Sequence, residues 1–209
     1  KYHLPKIGNL ESVFGIQGMH QTNLNSGIEF LIPNATTTDF GVFGTANYEW
    51  KSNVFQAGIR FDNRNISSES YGISGDEGSF EAINKKYNSI NGSLGYKTNL
   101  SEKLTLRLNF ASGFRAPNLA ELTSNGVHEG TNRYEIGNST LKTEQNVQTD
   151  LNLEYKNSHF EFFANGFYNH IKNYIYTNPS GIIIDANDVF NYVQNNAKLY
   201  GGEIGLHFH

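Results

Sequence analysis

The 209-residue chain carries 16 Lys+Arg against 20 Asp+Glu, a formal charge of −4, so it lacks the basic excess that a phosphate backbone demands of a nucleic-acid-binding protein. It has no Cys, which removes disulfides, thiolate zinc, iron–sulfur clusters and thiol catalysis together. With 15 Phe, 12 Tyr, 21 Gly and no apolar run of about 18 residues, the composition excludes a membrane helix. It leaves open a membrane β-barrel, whose strands need only about 9–11 residues with every second one apolar.

In chain order, period-two alternation predicts strands over Leu10–Met19, Phe40–Trp50 and Val54–Asp62, where Phe55, Ala57, Ile59 and Phe61 oppose Gln56, Gly58, Arg60 and Asp62. Asn88–Lys97 follows, then Leu104–Phe110 with Leu104, Leu106, Leu108 and Phe110 on one face. Asn118–Leu122 can form one short helical turn. Asn146–Tyr155 alternates most cleanly, setting Val147, Thr149, Leu151, Leu153 and Tyr155 against Asn146, Gln148, Asp150, Asn152 and Glu154. Phe160–Tyr176 is a strand by composition, but Phe162, Phe163 and Phe167 fall on both faces and leave its orientation open. In a long final strand Tyr200, Ile204, Leu206 and Phe208 share a face. The sum is about eight strands.

The connections discriminate between a soluble sandwich and a barrel in lipid, whose polar faces read alike. Lys51–Asn53, Thr98–Lys103 and Lys156–His159 are short, whereas Gln21–Asp39, Asn63–Tyr87, Ala116–Gln145 and Thr177–Asp188 are long, and the two kinds alternate. Tight turns on one rim and long loops on the other are the mark of an up-and-down membrane barrel. Tyr48, Trp50, Phe55, Tyr96, Tyr155 and Phe160 crowd the short turns, where an interfacial girdle would place amphipathic rings. The expected fold is all-β: an antiparallel up-and-down transmembrane β-barrel.

Between Asn109 and Tyr155 stand Gly113, Phe114, Arg115, Ala116 and Pro117, then Glu121 and Leu122, then Gly137, Asn138, Leu141, Lys142 and Glu144. This order resembles the GFRAP strand end and the GNPxLKPE-like return of TonB-dependent outer-membrane receptors, with Ser139 and Thr143 where prolines are usual. "LIPNATTTDFGVFGTANYEW" with "VFQAGIRFDNR", and "FEFFANGFYNHIKNYIY" with "YVQNNAKLYGGEIGLHF", are similar to paired strands of that family, so the resemblance runs from about Leu10 onward. It implies a barrel of about 22 strands around a plug. Eight strands with no plug sequence make residues 1–209 part of the barrel domain, with the plug domain absent from this sequence. Any secretory leader would lie upstream of Lys1. The resemblance further implies a Gram-negative outer membrane, contact with its lipid, a TonB-type energy-transducing partner acting through the plug, and uptake of a scarce ligand such as an iron-siderophore, haem or zinc, with no cofactor of its own. The alternative is a small complete outer-membrane barrel with a structural or surface-interaction role, which requires Leu10–Met19 to pair with the last strand.

Arg60, Asp62, Arg107, Asp150 and Glu154 fall on the expected lumen lining, where wall hydrogen bonds and ion pairs to a plug account for them. Ligand contact belongs to the loops that a rigid wall presents. After Pro117 the chain offers His128, Glu129, Arg133, Tyr134 and Glu135, able to meet an anionic chelate or a metal, and "NGVHEGTNRYEIGN" is similar to the corresponding loop of zinc-uptake members. His128 is the candidate metal ligand, one imidazole where a zinc site takes three or four donors. His207 and His209 share a face and read as polar residues near the short-turn rim. Ser158 and His159 are adjacent without a companion carboxylate, and "GISGDEGSF" lacks the lysine of a phosphate loop, so no enzyme is expected.

Overall fold

The structure, a computed structural model, describes residues 1–26, 31–76, 78–128 and 130–209. In chain order the elements are β1 (Tyr2–His3), β2 (Leu10–Asn23), β3 (Ala35–Trp50), β4 (Asn53–Ser68), β5 (Ile83–Asn99), β6 (Leu104–Arg115), α1 (Leu119–Thr123), β7 (Asn125–His128), β8 (Arg133–Ile136), β9 (Glu144–Lys156), β10 (Phe160–Ile184) and β11 (Asn187–Phe208). They form one sheet of eleven strands, ordered β1-β2-β3-β4-β5-β6-β9-β10-β11-β8-β7. Each strand expected from alternation is one of the long members, and β1, β7 and β8 are short additions. β2 and β11 do not pair. The sheet is an open wall and lacks the closure that the small-barrel alternative required.

The register carries the alternation from strand to strand. Tyr48, Phe55 and Tyr96 stand opposite one another across β3, β4 and β5, and Leu108, Leu151 and Gly166 continue across β6, β9 and β10. One face is therefore apolar throughout, and its side chains are largely exposed: Ile59, Ile90, Leu94, Phe110, Ile204 and Phe208 all point into open space. On the other face Arg107 lies opposite Asn152, and Asn109 opposite Asp150. An exposed apolar face of this extent is a surface for hydrocarbon.

The same register settles the orientation of β10. Phe162 opposes Tyr155 and Leu206 on the apolar face. Phe163 and Phe167 belong to the polar face, where they lie over Gly205 and Gly201; a Cβ at those glycines would come within 2.3 Å and 2.8 Å of the rings. Phe43 lies over Gly15 in the same way, 2.3 Å from the position of a Cβ. Three bulky rings thus fit the polar face because glycine on the next strand leaves room for them.

One expected loop is a strand. Thr177–Asp188 continues the β10–β11 ladder to Ile184↔Asn187, closed by Asp185 and Ala186 at φ 46° and 62°. Two consecutive positive φ values are the geometry of a type I′ hairpin, whose twist matches its strands. At about 3.3 Å per residue, the 25 residues of β10 reach about 80 Å, far beyond the roughly 25 Å apolar band of a barrel. The fourth long connection is thus a tall hairpin.

The excursion between β6 and β9 folds back over the polar face. Ala116, Leu122 and Leu141 pack with Ile66, Ile83, Tyr87 and Ile175 in a buried cluster. Space for it opens because β5 and β6 pair only from Ser93↔Ala111 to Asn99↔Thr105. At that limit the Ser112 hydroxyl accepts from the Gly92 amide (2.9 Å) and donates to the Gly92 carbonyl (3.3 Å).

Candidate functional site

The excursion is fastened at one guanidinium. Arg115, the last residue of β6, donates through Nε and Nη2 to Glu144 (2.8 and 2.7 Å) and through Nη1 to both oxygens of Glu121 (2.8 Å each). The two carboxylates are 9% and 11% exposed. Each also takes a backbone amide: Asn118 donates to Glu121 (2.8 Å) and Ile175 to Glu144 (2.6 Å). The Glu121 amide in turn donates to the Asn118 side-chain oxygen (2.8 Å), a capping box that starts the five-residue helix α1. Burial pushes the Glu144 carboxyl up, but the bonds from Arg115 and the Ile175 amide outweigh it and hold the group below the usual carboxylate range.

The rest of the motif completes the fastening. Pro117 is fully buried. Gly137 presses on the end of α1 so closely that a Cβ would sit 2.5 Å from the Thr123 amide nitrogen, and only glycine fits there. The Gly137 and Asn138 amides donate to the Ser124 and Glu121 carbonyls (2.7 and 2.8 Å). Leu141 is buried in the cluster, and its carbonyl accepts from the Tyr87 hydroxyl (3.3 Å). Arg115, Pro117, Glu121, Gly137, Asn138, Leu141 and Glu144 therefore hold a lumen-side lobe against the wall. Ser139 and Thr143 stand in that lobe without disturbing it.

The ligand candidates lie on the β7–β8 hairpin, which docks on β11 through a parallel pairing of Arg133–Ile136 with Asp188–Asn191. His128 Nδ1 meets Glu135 Oε1 at 3.1 Å, and the Tyr192 hydroxyl donates to Glu135 Oε2 at 2.7 Å. The contact is made through Nδ1, and Nε2 is the ring nitrogen turned away from Glu135. Glu135 is 9% exposed and the His128 side chain 47%. Burial and the Glu135 bond push the Tyr192 hydroxyl well above the ordinary tyrosine range, so it stays a donor. On the same face the Arg133 guanidinium lies 4.4 Å above the Phe190 ring.

Tyr134 is on the opposite face, 3% exposed beside Val189, with its hydroxyl on the Asn125 side chain (2.9 Å). Asn125 in turn reaches the Asp76 and Ser79 carbonyls (3.0 Å each), joining this lobe to the β4–β5 loop. Glu129 lies outside the described residues. Among the described residues no group of three or more His, Cys, Asp or Glu could hold a metal; His128 and Glu135 make two. Tyr192 and Phe190 escaped the sequence reading because they stand more than fifty positions beyond His128, next to a stretch read as loop.

Along the wall the polar face is a set of paired charges. Arg64 forks onto Asp39 (2.7 and 2.6 Å), Arg60 lies on Asp62, and Arg107 donates to Asn152 and Glu154 (2.6 Å each). Gln148 donates to Asp150 (2.8 Å). Arg60, Asp62, Arg64, Asp39 and Arg115 border one recess of about 320 Å³ below the excursion.

An antiparallel wall with an apolar outer face, a charged inner face, tight turns on one rim and long excursions on the other defines a segment of a transmembrane up-and-down β-barrel. The model of the family described as TonB dependent receptor-like, beta-barrel, matches residues 9–209. The chain belongs to the TonB-dependent receptors, an outer-membrane family of Gram-negative bacteria whose members are transporters and receptors, not enzymes. Similar solved structures include the copper transporter OprC (TM-score 0.76, 17% identity, 98% of this chain and 34% of that one). A double mutant of the Serratia marcescens hemophore receptor HasR in complex with its hemophore HasA and heme is similar over 96% of this chain and 36% of that one (TM-score 0.75, 15% identity). The FrpB iron transporter of Neisseria meningitidis matches 99% and 32% (TM-score 0.68, 17% identity). The chain thus spans about a third of the length of each.

Proposed function

We propose that this chain supplies part of the wall and the outer mouth of an outer-membrane receptor that takes up a scarce metal-bearing ligand: an iron-siderophore, haem or zinc. A TonB-type partner would deliver the energy through a plug domain held in the lumen, against the paired charges of the inner face. Family membership supports the receptor reading, and the apolar outer face supports its seat in outer-membrane lipid. The similar structures are those of a copper transporter, a hemophore receptor in complex with heme, and an iron transporter, which supports a metal-bearing cargo.

The observation that carries the ligand reading is the orientation of His128. A carboxylate on the far ring nitrogen fixes the tautomer and raises the basicity of the near one, the arrangement that metal-binding imidazoles use. Arg133, its guanidinium 4.4 Å from the centre of the Phe190 ring, offers N–H groups to carboxylates or other anionic groups on a chelate. Tyr134 and Glu135 shape this face from behind rather than at its surface. Glu129 is part of the proposed group by sequence.

The test uses the full-length receptor with three separate probes: hemin, a ferric siderophore and Zn²⁺. His128→Ala lowers the affinity for one of them, and Glu135→Gln lowers it for the same one; losing the partner that orients a metal-binding imidazole costs about 10–100-fold. Unchanged binding of all three, with normal growth of a receptor deletion under both iron and zinc limitation, would overturn metal uptake.

A further inference from the structure

We infer that Gly130 sets what His128 can take: it keeps the outward edge of the imidazole clear for a metal that arrives already held in a chelate with one coordination position open, rather than for a bare ion. The inference rests on the ligand reading above and narrows it to one class of cargo. His128 and Arg133 are cross-strand partners at the end of the β7–β8 hairpin, and the turn between them is closed by the Thr131 amide on the His128 carbonyl (3.0 Å). Gly130 lies in that turn. A Cβ built on it would stand 3.7 Å from Nε2 and 4.0 Å from Cδ2, the edge of the ring that faces away from the Glu135 contact at Nδ1. Apart from its neighbours in the chain, the imidazole is all that this Cβ would meet within 4 Å among the described residues. A metal bonded to an imidazole nitrogen stands about 2.0–2.1 Å out, and the other donors of its chelate spread around it. A longer side chain at 130 competes for that space.

The donor count separates a chelate from a free ion. Zinc takes three or four donors in its protein sites. Glu135, the carboxylate in contact with the ring, spends one oxygen on Nδ1 and the other on the Tyr192 hydroxyl, and no metal-holding group of three donors stands among the described residues. One imidazole is enough for a metal whose other positions are filled before it arrives. A siderophore that wraps its iron completely leaves no position for His128. A flat macrocycle leaves its axial positions open, and acidic groups on its rim can meet Arg133, whose guanidinium lies 4.4 Å from the centre of the Phe190 ring. Hemin has this chemistry and serves as the probe.

The experiment titrates the full-length receptor with hemin and, separately, with Zn²⁺, and reads imidazole ligation from the hemin absorption spectrum. Heat-dependent electrophoretic mobility verifies that each variant is folded. The wild type binds hemin with an imidazole-ligated spectrum that His128→Ala removes, and any Zn²⁺ it binds is indifferent to that substitution. Gly130→Ala stays within about threefold of the wild type, because a Cβ alone makes an ordinary contact. Gly130→Leu and Gly130→Asn each weaken hemin binding about tenfold or more and remove the ligated spectrum. Asparagine tolerates a left-handed backbone that leucine does not, so a loss confined to Gly130→Leu assigns the glycine to the turn and overturns its role at the imidazole. Wild-type hemin binding in both variants overturns it as well. Zn²⁺ binding that His128→Ala abolishes overturns the restriction to chelates. Hemin binding that survives His128→Ala unchanged sinks the ligand reading itself, a result distinct from the others.

Discussion

Replacing Arg115 by alanine should release the excursion from the wall while leaving the wall intact. The side chain satisfies two carboxylates that are 9% and 11% exposed, and its removal leaves both buried without their counter-ion. Breaking a buried pair from one side costs about 3–5 kcal/mol. Arg115 itself is 42% exposed, and solvent screening trims the expected cost to about 2–3 kcal/mol. At about 1.4 kcal/mol per factor of ten, the lobe opens roughly 30- to 150-fold more often. Amide hydrogen exchange of the full-length receptor reads this directly: peptides covering 116–143 speed up by that factor, while β3, β4 and β9 keep wild-type protection. Arg115→Lys gives an intermediate effect, because one point charge cannot fork onto two carboxylates. Unchanged exchange over 116–143 in Arg115→Ala would refute the fastening, and loss of protection in β3 and β4 would refute its independence from the wall.

The same lobe should loosen in acid. Glu144 has a folded pKa below its unfolded value, so its contribution is complete above about pH 4.3 and fades as pH falls through the lower, folded value; protease sensitivity of 116–143 stays flat from pH 8 to pH 6 and rises below about pH 4. Gly205→Val sets a side chain where the Phe163 ring lies, 2.3 Å from a Cβ position, and a thermal melt should record the loss of about 1–3 kcal/mol typical of overpacking. Leu151→Arg, on the apolar face, should lower folding stability in phospholipid vesicles by about 2–4 kcal/mol. Asn109→Arg, opposite Asp150 on the inner face, should change it by less than about 1 kcal/mol, and equal effects would mean that the two faces have been assigned wrongly.

The long strands were legible because a wall between lipid and lumen imposes a period of two that nothing else interrupts. Asn146–Tyr155 lies within β9 on that signal alone. The reading failed where packing is not periodic. Phe163 and Phe167 look misplaced in a strand until Gly205 and Gly201 are seen beneath them, and those glycines lie on the neighbouring strand, about forty residues away. The hairpin tip looked like a loop because Asn178, Pro179, Ser180 and Gly181 are turn formers; register shifts between Pro179 and Ile183 absorb them instead. The motif from Arg115 to Glu144 was visible as a pattern, but its purpose was not. Neither sequence order nor spacing says that one guanidinium joins both carboxylates.

The candidate site depends on a correction to the ladder. Between Ile171↔Ala197 and Tyr174↔Asn195, β10 carries two residues against one on β11, and the extra residue is accommodated at Asn173, φ 57°, a conformation asparagine tolerates well. Asn173 donates to the Thr143 carbonyl and accepts at its own carbonyl from Gln194, which also holds both backbone groups of Lys142. Asn138 reaches the Tyr192 carbonyl, and Tyr192 reaches Glu135. All but the Gln194–Asn173 bond, which lies within the hairpin, join the excursion to it, and a slip of one residue in β11 would turn Tyr192 and Gln194 to the opposite face and break their bonds as a group. The imidazole at His128 is therefore held by Glu135 of its own hairpin, whose second partner, Tyr192, is placed by the β10–β11 register.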